Sequence, residues 1–68
     1  MNKKYYNDNN IDVTKRIEKK RTYLFLGTDL ETMNKANKKA LSIGSYPYEV
    51  YANNEYDRKV FVGFGVPR

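Results

Sequence analysis

Residues 22–44, TYLFLGTDLETMNKANKKALSIG, constrain the fold more than any other stretch, because a strand-to-helix transition is signalled there from several directions at once. Tyr23 to Leu26 is a short bulky run, and Gly27 ends it. Thr28 followed by Glu31 has the form of a capping box, in which hydroxyl and carboxylate each satisfy a backbone N–H of the first helical turn. The spacing predicts a helix over residues 29–43. Leu30, Met33, Asn37, Ala40 and Leu41 then fall on one side of it, and Glu31, Lys35, Lys38 and Lys39 on the other. Gly44 stands where a left-handed C-terminal cap belongs.

With 68 residues there is room for one domain and no second core. So short a chain buries only about 60% of its unfolded surface, so burial barely offsets chain entropy unless disulfides, a metal or a partner contribute. The chain has no Cys and no His, which removes disulfides and argues against zinc, iron or copper sites. Neither a metal nor a cofactor is expected, and self-association or a bound partner gains weight. No apolar run is long enough for a signal peptide or a membrane span, and the lack of Cys fits a reducing compartment, so a cytoplasmic location without membrane contact is expected.

The formal charge of +5 is unevenly placed. Residues 1–21 hold seven Lys/Arg against three acids, a net of +4, whereas residues 22–68 hold six against five, a net of +1. Any attraction for polyanions is therefore concentrated in the N-terminal third. Within it, KRIEKKR from Lys15 to Arg21 packs five cations into seven residues.

Residues 1–10, MNKKYYNDNN, lack periodicity and read as a flexible arm, leaving residues 11–68 as the single domain. In residues 11–17 the alternating Ile11, Val13, Lys15 and Ile17 favour a strand, although Val13 and Ile17, four apart, also suit one or two helical turns. Residues 46–51 read as a strand in which Pro47 has no N–H to donate, so an edge position is expected. Residues 52–57 form a hairpin loop. Residues 59–66 are apolar on both sides, which places that strand in the middle of a sheet. The expected fold class is α+β: a small single-helix βαββ domain, or ββαββ if residues 11–17 pair beside the first strand. Its sheet is mainly antiparallel, of order 1-3-2, with one face covered by the helix.

One helix shields one face. Its stripe best meets Leu24, Leu26, Val50, Val60, Val62 and Phe64, and alternation then assigns Tyr23, Phe25, Tyr51, Phe61 and Glu49 to the other face, with Gly63 and Gly65 between the rings. Three occupants compete for that face: the chain's own N-terminal segment through Ile11, Val13 and Ile17, a second copy in a homodimer, or nucleic-acid bases stacking on the rings.

Catalysis has little to work with, because His and Cys are missing and neither Ser42 nor Ser45 has an identifiable base nearby. Glu55 and Asp57 are too few for a hard cation, and Gly63-Phe64-Gly65 lies inside a strand and opens no helix. A non-enzymatic nucleic-acid-binding module is therefore expected, with Lys15, Arg16, Lys19, Lys20 and Arg21 holding phosphates and Tyr23, Phe25, Tyr51 and Phe61 stacking or packing. The alternative is a protein-binding module or inhibitor acting through the aromatic or basic surface. In size and composition it would suit an accessory protein of a phage or mobile element.

Overall fold

Six elements follow one another in the computed structural model, which describes residues 3–68: β1 (Tyr5–Asn7), α1 (Thr14–Glu18), β2 (Thr22–Leu26), α2 (Leu30–Ile43), β3 (Tyr48–Asn53) and β4 (Lys59–Pro67). The chain is an α+β domain whose four strands form one antiparallel sheet of order β1-β3-β4-β2. β4 lies between β2 and β3, where its two apolar sides require it. The 1-3-2 layout is nevertheless incomplete, because the fourth strand is Tyr5–Asn7 on the β3 edge and not residues 11–17 beside β2. Residues 5–7 of the segment expected as an arm are thus ladder partners of Ala52, Tyr51 and Val50, while residues 1–2 lie outside the described residues.

Residues 11–17 do not form the preferred strand. Local side-chain bonds outcompete a ladder there: the Asp12 carboxylate accepts the Thr14 N–H at 2.9 Å, and the Thr14 hydroxyl accepts the Tyr5 N–H at 2.8 Å. Val13 N–H donates to the Tyr5 carbonyl at 2.9 Å. These bonds turn the chain into the short helix α1 after a single bridge between Tyr6 and Asp12. Pro47 also lies outside its expected strand. β3 starts one residue later and is internal, flanked by β1 and β4, so the missing N–H removes no ladder bond.

The helix α2 follows the expected bounds with a different cap. Asp29, not the Thr28–Glu31 pair, closes its N-terminus, accepting the Thr32 N–H at 3.0 Å and the Thr32 hydroxyl. Gly44 closes the other end in the left-handed region at φ 69°. Ala36 and Ala40 are the buried positions, whereas Leu30 and Leu41, expected inside, are 67% and 82% exposed. Small residues let the helix lie close to the sheet, and Lys39, expected outside, sits half-buried on the inner flank.

The register fixes which side each strand residue takes. Val66 packs with Ala36 and Ala40 under α2. Tyr23 is opposite Val66 and Phe25 opposite Phe64, so both rings point to the helix and Leu24 and Leu26 point away. That inverts the expected assignment of β2. On β4 a bulge adds a second inversion: Val50 pairs with Gly63 and Tyr51 with Phe61, leaving Val62 without a β3 partner. Phe61 therefore joins Phe64 and Tyr51 on the α2 side. The opposite side carries Val50 and Ala52, both essentially inaccessible to solvent, and the buried Val13 belongs to the α1 segment that covers it. The chain's own leading residues thus cover part of the second face, which carries aliphatic side chains and the Tyr48 ring where Tyr23, Phe25, Tyr51 and Phe61 were expected.

Candidate functional site

The residues singled out for function are not brought together on one surface. Phe25 is partly buried against the Ala36–Ala40–Val66 cluster and belongs to the core. Tyr51 and Phe61 pack on each other with centroids 5.9 Å apart, and Phe61 meets Phe64 edge to face at 5.2 Å. The Tyr51 hydroxyl donates to the Glu49 carboxylate at 2.7 Å, which pushes the Tyr51 phenol above its ordinary value. Across β3, Tyr6 lies opposite Tyr51, with the Lys59 ammonium 4.4 Å above its ring.

Tyr23 has a different environment. The Lys39 ammonium lies 4.5 Å from its ring centroid and the Arg68 guanidinium 5.6 Å, so two cations from distant parts of the chain converge on one ring. Sheet register explains the meeting: Thr22 pairs with Pro67, and the Arg68 N–H donates to the Arg21 carbonyl at 2.9 Å. The Arg68 side chain also donates to the Lys20 carbonyl at 2.8 Å. The turn leading from α1 into β2 is held by Arg21 N–H to the Arg16 carbonyl at 2.8 Å, with Lys20 in the left-handed region at φ 60°. The backbone of Lys20 and Arg21, with Lys19 before them, is thereby held beside Arg68 at the end of the sheet where Lys39 and Arg68 meet Tyr23. Among the described residues the ion pair within 4.0 Å is Lys35–Glu31 on the outer face of α2, so none of these five is neutralised by a carboxylate at that range. Lys15 and Arg16 extend the positive surface along α1 and are exposed.

Lys39 and Arg68 were not legible as site residues. Lys39 follows Lys35 and Lys38 in the helix and looks like a solubility charge; only its place next to the buried Ala40 marks the inner flank. Arg68 could have been found only from the β2–β4 register.

Other candidates are structurally occupied. The Asp57 carboxylate accepts the Asn53 amide at 3.0 Å within the β3–β4 turn, and no group of three or more His, Cys, Asp or Glu able to hold a metal occurs among the described residues. Gly63 and Gly65 serve packing. A Cβ at Gly63 would overlap the Phe25 carbonyl, and one at Gly65 would lie 2.8 Å from the Tyr48 ring. No helix among the described residues is long and apolar enough to cross a membrane. Compared with known proteins, the chain matches no protein-family model, no curated protein and no solved structure.

Proposed function

We propose that the protein is a non-enzymatic module that binds nucleic acid through its phosphates, using the cationic end of the sheet. The observation that carries this reading is the convergence of Lys39 and Arg68 on the Tyr23 ring, with Arg68 bonded to the backbone carbonyls of Lys20 and Arg21 so that the Lys19–Arg21 run adjoins the pair, and none of these cations has a carboxylate within 4.0 Å among the described residues. Clustering five like charges costs stability unless an anion offsets the repulsion, and a phosphate backbone supplies anions at matching intervals. Lys15 and Arg16 extend the same field along α1. The rings take packing roles in this reading: Phe25, Tyr51 and Phe61 fill the α2 side, and Tyr23 holds two of the cations.

The test is the salt dependence of binding to a duplex of random sequence. Engagement of about five phosphates predicts that the affinity falls with a log–log slope of about −4 to −5 as salt rises. A slope near zero would remove the phosphate role.

A protein-binding module is the second reading. It draws on Leu30 and Leu41, which stand exposed on α2, together with the Tyr6–Tyr51–Phe61 strip on the same side of the sheet. A partner or a second copy docked there would hold its affinity across the same salt range, and a mass of twice the monomer in solution would identify the homodimer.

A further inference from the structure

A cleft of about 270 Å³ opens on the face opposite α2, lined by Asn7, Asp8, Asn9, Val13, Arg16, Tyr46, Tyr48 and Pro67. We infer that this cleft receives one unstacked base of a single-stranded nucleic acid whose phosphates lie on the neighbouring cations; the inference rests on the phosphate-binding reading above.

Pro67 in the cleft wall immediately precedes Arg68, and the carbonyl of Arg16, another wall residue, accepts the Arg21 N–H. The cleft and the cationic cluster therefore share two segments of chain at one end of the sheet, the cleft on the α1 side and the Tyr23 ring with its cations on the α2 side, so a strand would pass round that end to engage both. Gly65 has no side chain, which lets the Tyr48 ring lie against the sheet, where a Cβ would come within 2.8 Å of it. Tyr46 stands 74% exposed at the rim, so one ring forms the floor and a second is free to cover a planar ligand.

Polar groups around the cleft follow a pattern suited to a base edge. The loop after β1 is fixed before any ligand arrives: the Asn7 side-chain oxygen accepts the N–H groups of Asn9 and Ile11 at 2.9 and 3.0 Å, and the Asn7 carbonyl accepts the Asn10 N–H at 3.0 Å. This leaves the Asn7 amide N–H₂, the Asn9 side chain and the Asp8 carboxylate to meet a base edge, with the Arg16 guanidinium available for stacking or for the attached phosphate. The Asp8 carboxylate accepts only, so guanine, which offers N1–H and N2–H₂ side by side to its two oxygens, fits better than cytosine or uracil, each of which offers a single donor group there. A fully paired duplex keeps its bases stacked and cannot fill the cleft.

The experiment combines amide NMR titration of the whole chain with GMP, CMP and UMP and binding of a mixed-sequence single-stranded 12-mer, for the wild type and Tyr46→Ala. Tyr46 is exposed enough for its replacement to leave the fold intact. The expected result is shifts centred on Asn7, Asp8, Asn9, Arg16 and Tyr48 that are larger with GMP than with CMP or UMP. Tyr46→Ala should bind the 12-mer about tenfold more weakly, with an unchanged salt slope. If the 12-mer binds with a steep salt slope while the mononucleotides cause no shifts and Tyr46→Ala binds like the wild type, the cleft inference is overturned and the phosphate reading stands. If mononucleotides shift the cleft residues and the 12-mer shows no salt dependence, the base site stands and the phosphate reading falls. Absence of both signals overturns both.

Discussion

Phe61 and Phe64 are three residues apart on β4, yet their rings meet edge to face at 5.2 Å on the same side of the sheet. Strict alternation would put them on opposite sides. The bulge at Val62 absorbs the odd residue, and the Val62 carbonyl accepts the Gly27 N–H at 2.9 Å where β2 ends. One extra residue thus brings Phe61 and Tyr51 to the α2 side, where Phe64 and its partner Phe25 already lie, and leaves Val50 and Ala52 buried on the other side.

The two strand glycines separate backbone from side-chain crowding. A Cβ at Gly63 collides with the backbone carbonyl of Phe25 in the neighbouring strand, which cannot move without breaking the ladder. A Cβ at Gly65 meets the far end of the Tyr48 ring, which can rotate aside. Gly63→Ala should therefore cost about 3 kcal/mol or more and Gly65→Ala about 1 kcal/mol, read from urea midpoints at constant m. Equal costs would show that the β2–β4 register is different.

Side assignment in β2 has its own test. Phe25 packs on the Ala36–Ala40–Val66 cluster, whereas Leu26 is 60% exposed. Phe25→Ala should lower stability by about 2–4 kcal/mol and Leu26→Ala by no more than about 0.5 kcal/mol. The reverse ranking would restore the orientation that alternation alone suggested.

Two carboxylates set the acid limit. The Thr32 hydroxyl and N–H hold Asp29 below the usual carboxylate range, and Thr14 does the same for Asp12. A carboxyl whose folded pKa is depressed contributes stability that is present above its unfolded value, about 3.9, and is lost as pH falls through the folded value. Thermal midpoints should be level between about pH 5 and 7 and fall below about pH 4. Asp29→Asn should make the acid fall shallower; an unchanged profile would show that the cap does not couple to folding.

The Tyr51–Glu49 bond predicts a spectroscopic shift. Because the Glu49 carboxylate accepts from the Tyr51 hydroxyl, it raises the phenol pKa. Glu49→Gln should return one tyrosine to an earlier point in the alkaline absorbance titration, and an unaltered curve would show that the bond does not persist in solution.

The elements that sequence made legible are those with redundant local signals: the helix with Gly44 at its end, a turn between β3 and β4, although Ala52 and Asn53 of the expected loop belong to β3, and β4 apolar on both sides. What it did not reveal depends on long-range register. β2 reads Tyr-Leu-Phe-Leu after Thr22 and has no polar residue in that run to mark its outer side, and along β4 the Val62 bulge breaks the alternation that assigned Phe61 and Tyr51 their side. β1 is three residues long and too short for periodicity to declare it. α1 was obscured because β-branched residues suggested a strand, while the turn is made by the Asp12 and Thr14 side chains. Of the expected phosphate-binding residues, Lys19, Lys20 and Arg21 lie at the cationic end of the sheet, but their companions Lys39 and Arg68 come from elements whose placement only the register supplies.

The central claim is that an anionic partner lies on the cationic end of the sheet and not on the aromatic strip. It is tested most directly by amide NMR perturbation with a short random-sequence duplex at about 50 mM salt, where phosphate contacts are strong. The account predicts that the largest shifts fall on Lys19, Lys20, Arg21, Lys39 and Arg68 and vanish on raising the salt to about 300 mM. Shifts centred on Tyr6, Tyr51 and Phe61, or none at all, would contradict it.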